Sequence, residues 1–372
     1  MLSLRNCDVD EFARRTEGKK IICFGAWIMP ANFCKAYPKY RFEERIVNLS
    51  DNDRKKWGTK FLLDNGVSRE VVSPDRLREI VDKDTVLFIT SMYFAAIIEQ
   101  LDAFKELDGT DCYIYPFMQY DRKFEKIENL RNSEIPLIPK KIHYFWFGHN
   151  PKPPLAIKCI ESWRKFCPDY EIIEWNEENY DVTKNRFMRE AYEAKKWGFV
   201  PDYARLETIY KYGGIYFDTD VELIKPIDDL LYKEAFFGFG NYGRINTGGG
   251  FASKPGVQLF KNLIERYETF HFIKDDGTLD LTTNTMHEEP TFIEWGLKPD
   301  DTMQLIKGVL FLQSDFMAPL VPGFLVPRLT DNTISIHYGS VSWESEENRK
   351  AIEKSKMECE IIRNRFHEEG TI

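Results

Sequence analysis

Asp218 and Asp220 are separated by one residue, follow the apolar run 215–217 (IYF) and precede a second run, 221–224 (VELI). Because side chains alternate along a strand, the two carboxylates can converge on one point while Thr219 points away. Paired hard oxygens of this kind suit Mg²⁺ or Mn²⁺, and a divalent ion with open positions suits a diphosphate. Upstream, Asp202 and Arg205 stand three residues apart in a helical pattern that ends at Gly213-Gly214. That spacing puts an acceptor and a guanidinium on one helical face. Isolated acidic pairs usually belong to solvated turns. This pair interrupts an otherwise buried run, where a carboxylate without a partner is costly.

Further along, Asn246, Thr247 and three consecutive glycines, 248–250, combine short polar side chains with bare backbone, a composition suited to close contact with sugar hydroxyls. Arg244 and Lys254 are candidate phosphate partners beside Arg205. Glu288-Glu289 offers a carboxylate that could orient an acceptor, although acidic pairs are usually solvated. His337 closes the apolar stretch 333–336, and an imidazole suits Mn²⁺.

The segment PDYARLETIYKYGGIYFDTDVELIKPIDDL resembles the sugar-nucleotide-binding region of family thirty-two glycosyltransferases, whose pattern is roughly A-R-x-x-x-L-Y-x-x-G-G-x-Y-x-D-x-D. IPKKIHYFWFG (138–148), INTGGGFASKPG (245–256) and SIHYGSVSW (335–343) resemble further elements of that family in the same order. The resemblance implies an A-type glycosyltransferase fold, a Rossmann-like mixed sheet with flanking helices, and transfer of a hexose with retention from a nucleoside-diphosphate sugar to a saccharide or lipid-linked acceptor. It implies a catalytic set of Asp218, Asp220 and Arg205. It also implies donor contacts from Trp146, Asp202, Arg205, Asp218, Thr219, Asn246, Thr247 and Trp343. The implied ion is Mn²⁺ or Mg²⁺ on Asp218, Asp220 and His337, with Ser342 as the alternative third ligand, and the implied setting is bacterial cell-surface polysaccharide synthesis.

Composition sets the frame for these residues. The chain has 372 residues, 43% hydrophobic and 15% aromatic, enough for two domains with real cores. A net charge of −9 argues against a nucleic-acid partner, which needs a basic footprint. Seven scattered cysteines without a C-x-x-C suit reduced thiols, and the absence of a long apolar run points to a cytoplasmic enzyme. Peripheral attachment at the inner membrane face stays open, because polysaccharide acceptors are often lipid-linked.

Strand patterns at 20–24, 45–49, 85–90 and 112–115 alternate with helical patterns at 74–81, capped by Ser73, and 93–107. They predict a small Rossmann-like α/β domain over 1–120, followed by a linker at 121–139 and a catalytic domain over 140–372. The first turn, Gly25 to Pro30, lacks the later glycines of G-x-G-x-x-G. Asp51 and Asp53 read as caps before they read as ribose ligands. Two other functions compete. YFDTDV also fits the first motif of a haloacid-dehalogenase-like phosphatase with Asp218 as nucleophile, and a non-catalytic nucleotide-sugar-binding module would keep the fold without turnover.

Overall fold

The computed structural model describes residues 1–131, 133–339 and 346–368. Two compact units emerge. The first comprises Met1–Phe124, Leu320–Arg328 and the C-terminal segment that contains the helix Glu346–Glu368; the second comprises Glu125–Pro319 and the segment from Leu329. Both are α/β, as the alternation of strands and helices predicts.

In the first unit, strands β1 (Ser3–Arg5), β2 (Lys20–Phe24), β3 (Ile46–Ser50), β4 (Lys60–Leu62), β5 (Ser68–Val72), β6 (Thr85–Ile89) and β7 (Asp111–Ile114) form one sheet in the order β1-β7-β6-β2-β3-β5-β4. Every pairing is parallel except β4 with β5. Ser73 caps the helix Pro74–Ile80 by accepting the Arg76 N–H. The predicted helix over 93–107 is shorter, Phe94–Asp102, with a single 3₁₀ turn at Lys105–Leu107.

Two backbone donors of the first βα turn are already used. The Gly25 N–H goes to Ser50 O, and the Ala26 N–H goes to Asp51 Oδ2 at 2.8 Å. Asp51 also accepts from the Asp53 N–H and from Lys56, while Asp53 caps the next 3₁₀ turn. This is loop chemistry, and it takes those two donors away from any phosphate in that turn.

The C-terminal helix belongs to this unit and not to the later domain in which the sequence reading places it. Ile362 and Phe366 are buried in the same core as Leu2, Leu4 and Phe117, and Arg365 pairs with Asp102 at 2.7 Å. Nor is 121–139 a free linker throughout. Ile138 is buried in the second unit, where Ile127 and Leu130 also pack.

The second unit is built on β8 (Lys141–Phe145), β9 (Glu171–Trp175), β10 (Gly214–Tyr216), β11 (Val221–Leu223), β12 (Ala235–Gly238), β13 (Phe251–Ser253), β14 (Gln304–Ile306), β15 (Val309–Leu312) and β16 (Ser335–His337). Seven of these form a mixed sheet, β14-β15-β12-β13-β10-β8-β9, and β11 pairs with β16 in a separate antiparallel ribbon. Two apolar cores form here, one containing Phe187, Leu206, Tyr216, Phe237 and Phe251, the other Trp163, Ile215, Phe217, Val221 and Leu312. Tyr216 and Phe217 therefore reach opposite cores, which anchors the segment just before Asp218.

The helix Pro201–Tyr212 hands over to β10 through Gly213 and Gly214, at φ +64° and +99°. A Cβ at position 213 would lie 2.7 Å from Pro255 Cδ, and one at 214 would lie 2.8 Å from the Lys141 carbonyl, so only glycine fits both the dihedrals and the space. His143, buried in β8, locks this corner. Its Nδ1 lies 3.0 Å from Trp175 Nε1 and its Nε2 lies 3.1 Å from Gly213 O. An indole N–H only donates, so Nδ1 accepts and the ring proton on Nε2 is donated to the Gly213 carbonyl.

Burial lowers the His143 pKa from 6.5 to about 4, against the opposing effect of the Gly213 bond. Between those values the unfolded chain takes up a proton that the folded ring refuses. The contribution is therefore complete above pH 6.5 and lost as pH falls towards 4, by on the order of 3 kcal/mol. Denaturant unfolding of wild type and His143→Gln between pH 7.5 and 4.5 should show their stability difference shrinking as pH falls. A difference independent of pH would refute this role.

Candidate active site

Asp218, Thr219 and Asp220 lie where the chain leaves the large sheet for the β11–β16 ribbon. The strand ends at Tyr216, and a tight turn, closed by the Val221 N–H on Asp218 O at 3.1 Å, carries the two aspartates. Their convergence thus arises from a turn at a strand end and not from alternation within a strand. Antiparallel pairing puts His337 opposite Val221. Asp218, Asp220 and His337 each offer one ligand atom, all within 4.8 Å of one another. His337 Nε2 stands 3.2 Å from Asp220 Oδ1.

Arg205 is 2% exposed and sits among carboxylates. Its NH2 is 2.6 Å from Asp202 Oδ1 and 3.7 Å from Glu288 Oε1, its NH1 is 3.6 Å from Asp218 Oδ1, and the guanidinium also lies over the Tyr216 ring. The Tyr216 hydroxyl donates to Asp218. Asp202 and Arg205 therefore share a helical face as their spacing predicts, but that face is buried. Both side chains are committed to one another, and Arg205 in addition frames Asp218.

The Asn246–Gly250 segment differs in the same way from a simple sugar-contact loop. Thr247 is fully buried; its hydroxyl donates to Glu288 Oε2 at 2.7 Å and accepts from Asn284 Nδ2 at 2.7 Å. Asn246 spends its carbonyl on the N–H groups of Gly248 and Gly249 and its amide nitrogen on His337 Nδ1 at 3.0 Å. Gly248 is required by contact: a Cβ there would lie 2.6 Å from Asp218 Oδ2. Arg244 and Lys254 are paired with Glu289 at 3.1 Å and Glu234 at 2.7 Å.

Trp146 follows β8, is half-buried, donates to Asn150 O and lies under Lys152, whose Nζ is 5.6 Å from the ring. Ser342 and Trp343 lie outside the described residues.

Glu288 emerges as the residue that sequence reasoning undervalued. It is fully buried and also accepts from the Tyr267 hydroxyl at 3.1 Å. Its signal was available: in the helix Asn284–Trp295 it stands three and four residues before the buried Thr291 and Phe292, on the inward face.

Four carboxylates, Asp202, Asp218, Asp220 and Glu288, thus face one guanidinium and one imidazole. Burial pushes Asp202 up to about 7, with Arg205 pulling it down and Glu288 and Asp218 pushing it further up. Asp218 and Glu288 are likewise raised by burial, with Arg205 opposing. Burial would lower His337, but its hydrogen bond to Asp220 and the charges of Asp220 and Asp218 raise it. A divalent cation beside Asp218 and Asp220 would relieve this excess of negative charge, and the hard-oxygen donor set fits Mn²⁺ or Mg²⁺.

Residues 153–237 match the model of the glycosyltransferase sugar-binding region containing DXD motif, a span that includes Asp202, Arg205, Asp218 and Asp220. Inositol phosphoceramide mannosyltransferase 3 of Schizosaccharomyces pombe is 29% identical over 168 residues, covering 42% of this chain and 47% of that protein. Inositol phosphoceramide mannosyltransferase 1 of the same yeast is 25% identical over 192 residues, covering 48% and 59%. Subversion of eukaryotic traffic protein A of Legionella pneumophila is 29% identical over 184 residues, covering 40% and 28%.

The chain thus spans about half the length, or less, of the curated relatives it matches. Among solved structures, PaToxG glycosyltransferase overlaps 42% of this chain and 68% of its own at TM-score 0.34 and 15% identity. A glycosyltransferase involved in glycosylation of the major capsid of PBCV-1 overlaps 58% and 98% at TM-score 0.31 and 14% identity. Over residues 153–237, this chain is similar to the glycosyltransferases that carry a DXD-containing sugar-binding region.

Proposed function

We propose that this chain moves a hexose from a nucleoside-diphosphate sugar to a saccharide or lipid-linked acceptor, with Mn²⁺ or Mg²⁺ held at Asp218 and Asp220. The observation that carries the reading is the desolvated cluster around Arg205. A single guanidinium stabilises three carboxylates, two of them buried, while Asp218 turns its second oxygen towards Gly248 beside Asp220. When bound there, the ion supplies Lewis-acid stabilisation of the charge that develops on the departing diphosphate. Arg205 and Tyr216 fix Asp218, and Glu288 fixes Thr247 and with it the glycine-rich segment beside the pair.

Retention fits front-face attack better than a covalent glycosyl-enzyme. The acidic neighbours of the aspartate pair, Asp202 and Glu288, are buried and spent on Arg205, Thr247 and Tyr267, so neither is free as a nucleophile. The fission-yeast relatives are named for mannosyl transfer to inositol phosphoceramide, which supports trying mannose donors and lipid acceptors first. An inner-face, cytoplasmic role in cell-surface polysaccharide synthesis agrees with such an acceptor, and no described helix is long and apolar enough to cross a membrane. The described site residues all belong to the second unit, which we assign as the catalytic one.

Hydrolysis of UDP-glucose, UDP-galactose, UDP-N-acetylglucosamine and GDP-mannose with Mn²⁺ tests the reading, beside p-nitrophenyl phosphate as the phosphatase control. One donor should turn over, excess chelator should abolish the reaction, and Asp220→Asn should lower the rate about 10²-fold or more with the fold intact. Full turnover in chelator, or cleavage of the phosphate ester alone, would sink the proposal.

Gly248→Ala probes the same site without replacing a charged residue. The new Cβ would press on Asp218 Oδ2, so Mn²⁺ affinity measured from the free-ion resonance should drop about tenfold. The melting temperature should stay within about 4 °C of wild type, since the position needs no left-handed backbone. Unchanged affinity would show that Asp218 is not a ligand.

A further inference from the structure

The glycine-rich segment and His337 form a relay whose hydrogen-bond directions are fixed by the backbone. The Gly248 N–H donates to Asn246 Oδ1 at 3.2 Å, and the Gly249 N–H is shared between that atom at 3.3 Å and the Asn246 main-chain carbonyl at 3.1 Å. Backbone N–H groups only donate, so that atom has to be the amide oxygen, and the amide nitrogen is the atom that faces His337 Nδ1 at 3.0 Å. An amide NH₂ only donates as well. His337 Nδ1 must therefore present its lone pair to Asn246, which leaves the ring proton on Nε2, 3.2 Å from Asp220 Oδ1.

Close packing holds the relay together. A Cβ on Gly249 would fall 3.3 Å from Asn246 Nδ2 and 3.5 Å from His337 Nδ1, and one on Gly248 would fall 3.3 Å from both Asn246 Oδ1 and His337 Cε1. The first two glycines of the run thus admit the amide and the imidazole to each other. On the other side, the Tyr338 N–H donates to the Asp220 carbonyl at 3.0 Å, so the strand carrying His337 and the turn carrying Asp220 are tied at two points.

We propose that His337 is a positioning residue that donates Nε2–H to Asp220 and holds one oxygen of that carboxylate, and that it is not itself a ligand of the ion. Both ring nitrogens are occupied, one by a donor and one by its own proton, whereas a metal-bound nitrogen needs a free lone pair. The arrangement inverts the usual outer-shell pattern, in which a carboxylate orients a ligating imidazole. Here the imidazole orients a ligating carboxylate. It follows that the ligands the protein supplies at this centre are oxygens, so no imidazole nitrogen biases the choice between Mn²⁺ and Mg²⁺.

The inference rests on the metal reading of the site proposed above, and two measurements separate the two. In the metal-free protein labelled with ¹⁵N, the imidazole signal that disappears in His337→Gln should show an unprotonated Nδ1 and a protonated Nε2. With Mn²⁺ bound to unlabelled protein, electron spin-echo modulation should show no directly coordinated ¹⁴N. A glutamine side-chain amide can supply the donated proton in place of the ring, so His337→Gln should hold Mn²⁺ within about threefold of wild type, while His337→Ala should lose about 10- to 100-fold. A directly bound ¹⁴N that vanishes in His337→Gln, a protonated Nδ1, or equal losses in the two variants would overturn the positioning role. A protein that binds no Mn²⁺ would refute the metal reading, while the nitrogen shifts would still decide the pairing of His337 with Asn246 and Asp220.

Discussion

A guanidinium that cannot leave its carboxylates is the constraint on which this site depends. Arg205 is buried with Asp202 and Glu288 and borders Asp218, and removing any one partner would strand charge in a medium that solvates it poorly. The partners come from separate parts of the second unit: the helix Pro201–Tyr212, the helix Asn284–Trp295 and the turn after β10. One cation thereby fixes the relation of three elements, and Tyr267 and Thr247 extend the tie through their bonds to Glu288. Such a centre is better at holding its geometry than at adding stability.

The corner before the aspartates has a different physical basis. Gly213 and Gly214 take dihedrals closed to other residues, and His143 donates into the carbonyl that the corner exposes. Beyond it, Tyr216 and Phe217 anchor in opposite cores, so Asp218 starts from a rigid base. The second aspartate gains its anchor from the ribbon, through His337 and the Tyr338 N–H. Two sheets meet at the pair, each holding one carboxylate, which is how a short turn can keep two like charges close.

The first unit is organised by its own, mostly parallel sheet. Its β2 turn has the position of a nucleotide loop, yet the donors of Gly25 and Ala26 are consumed by Ser50 and Asp51. Its core is closed by the C-terminal helix, a partner with no counterpart in the local pattern of strands and helices.

Local chemistry was legible in the sequence. The D-x-D between apolar runs, the paired glycines, the Ser73 cap and the alternation of both sheets are short-range features, set by propensity, dihedral limits and the cost of burying charge. Tertiary structure decided the rest, because burial and hydrogen-bond direction depend on partners distant in the chain. The spacing of Asp202 and Arg205 gave a shared face, but only packing against Glu288 and Tyr267 turned that face inward. Asn246 and Thr247 have side chains fit for sugar hydroxyls, and folding spent them on His337 and Glu288 instead. Glu288 looked solvated beside Glu289 because a carboxylate pair alone does not reveal which member meets a buried arginine. A histidine at the end of an apolar strand suggested a ligand, whereas the direction of its hydrogen bonds was set by two backbone N–H groups about ninety residues away, beyond any pattern that can be read along the chain.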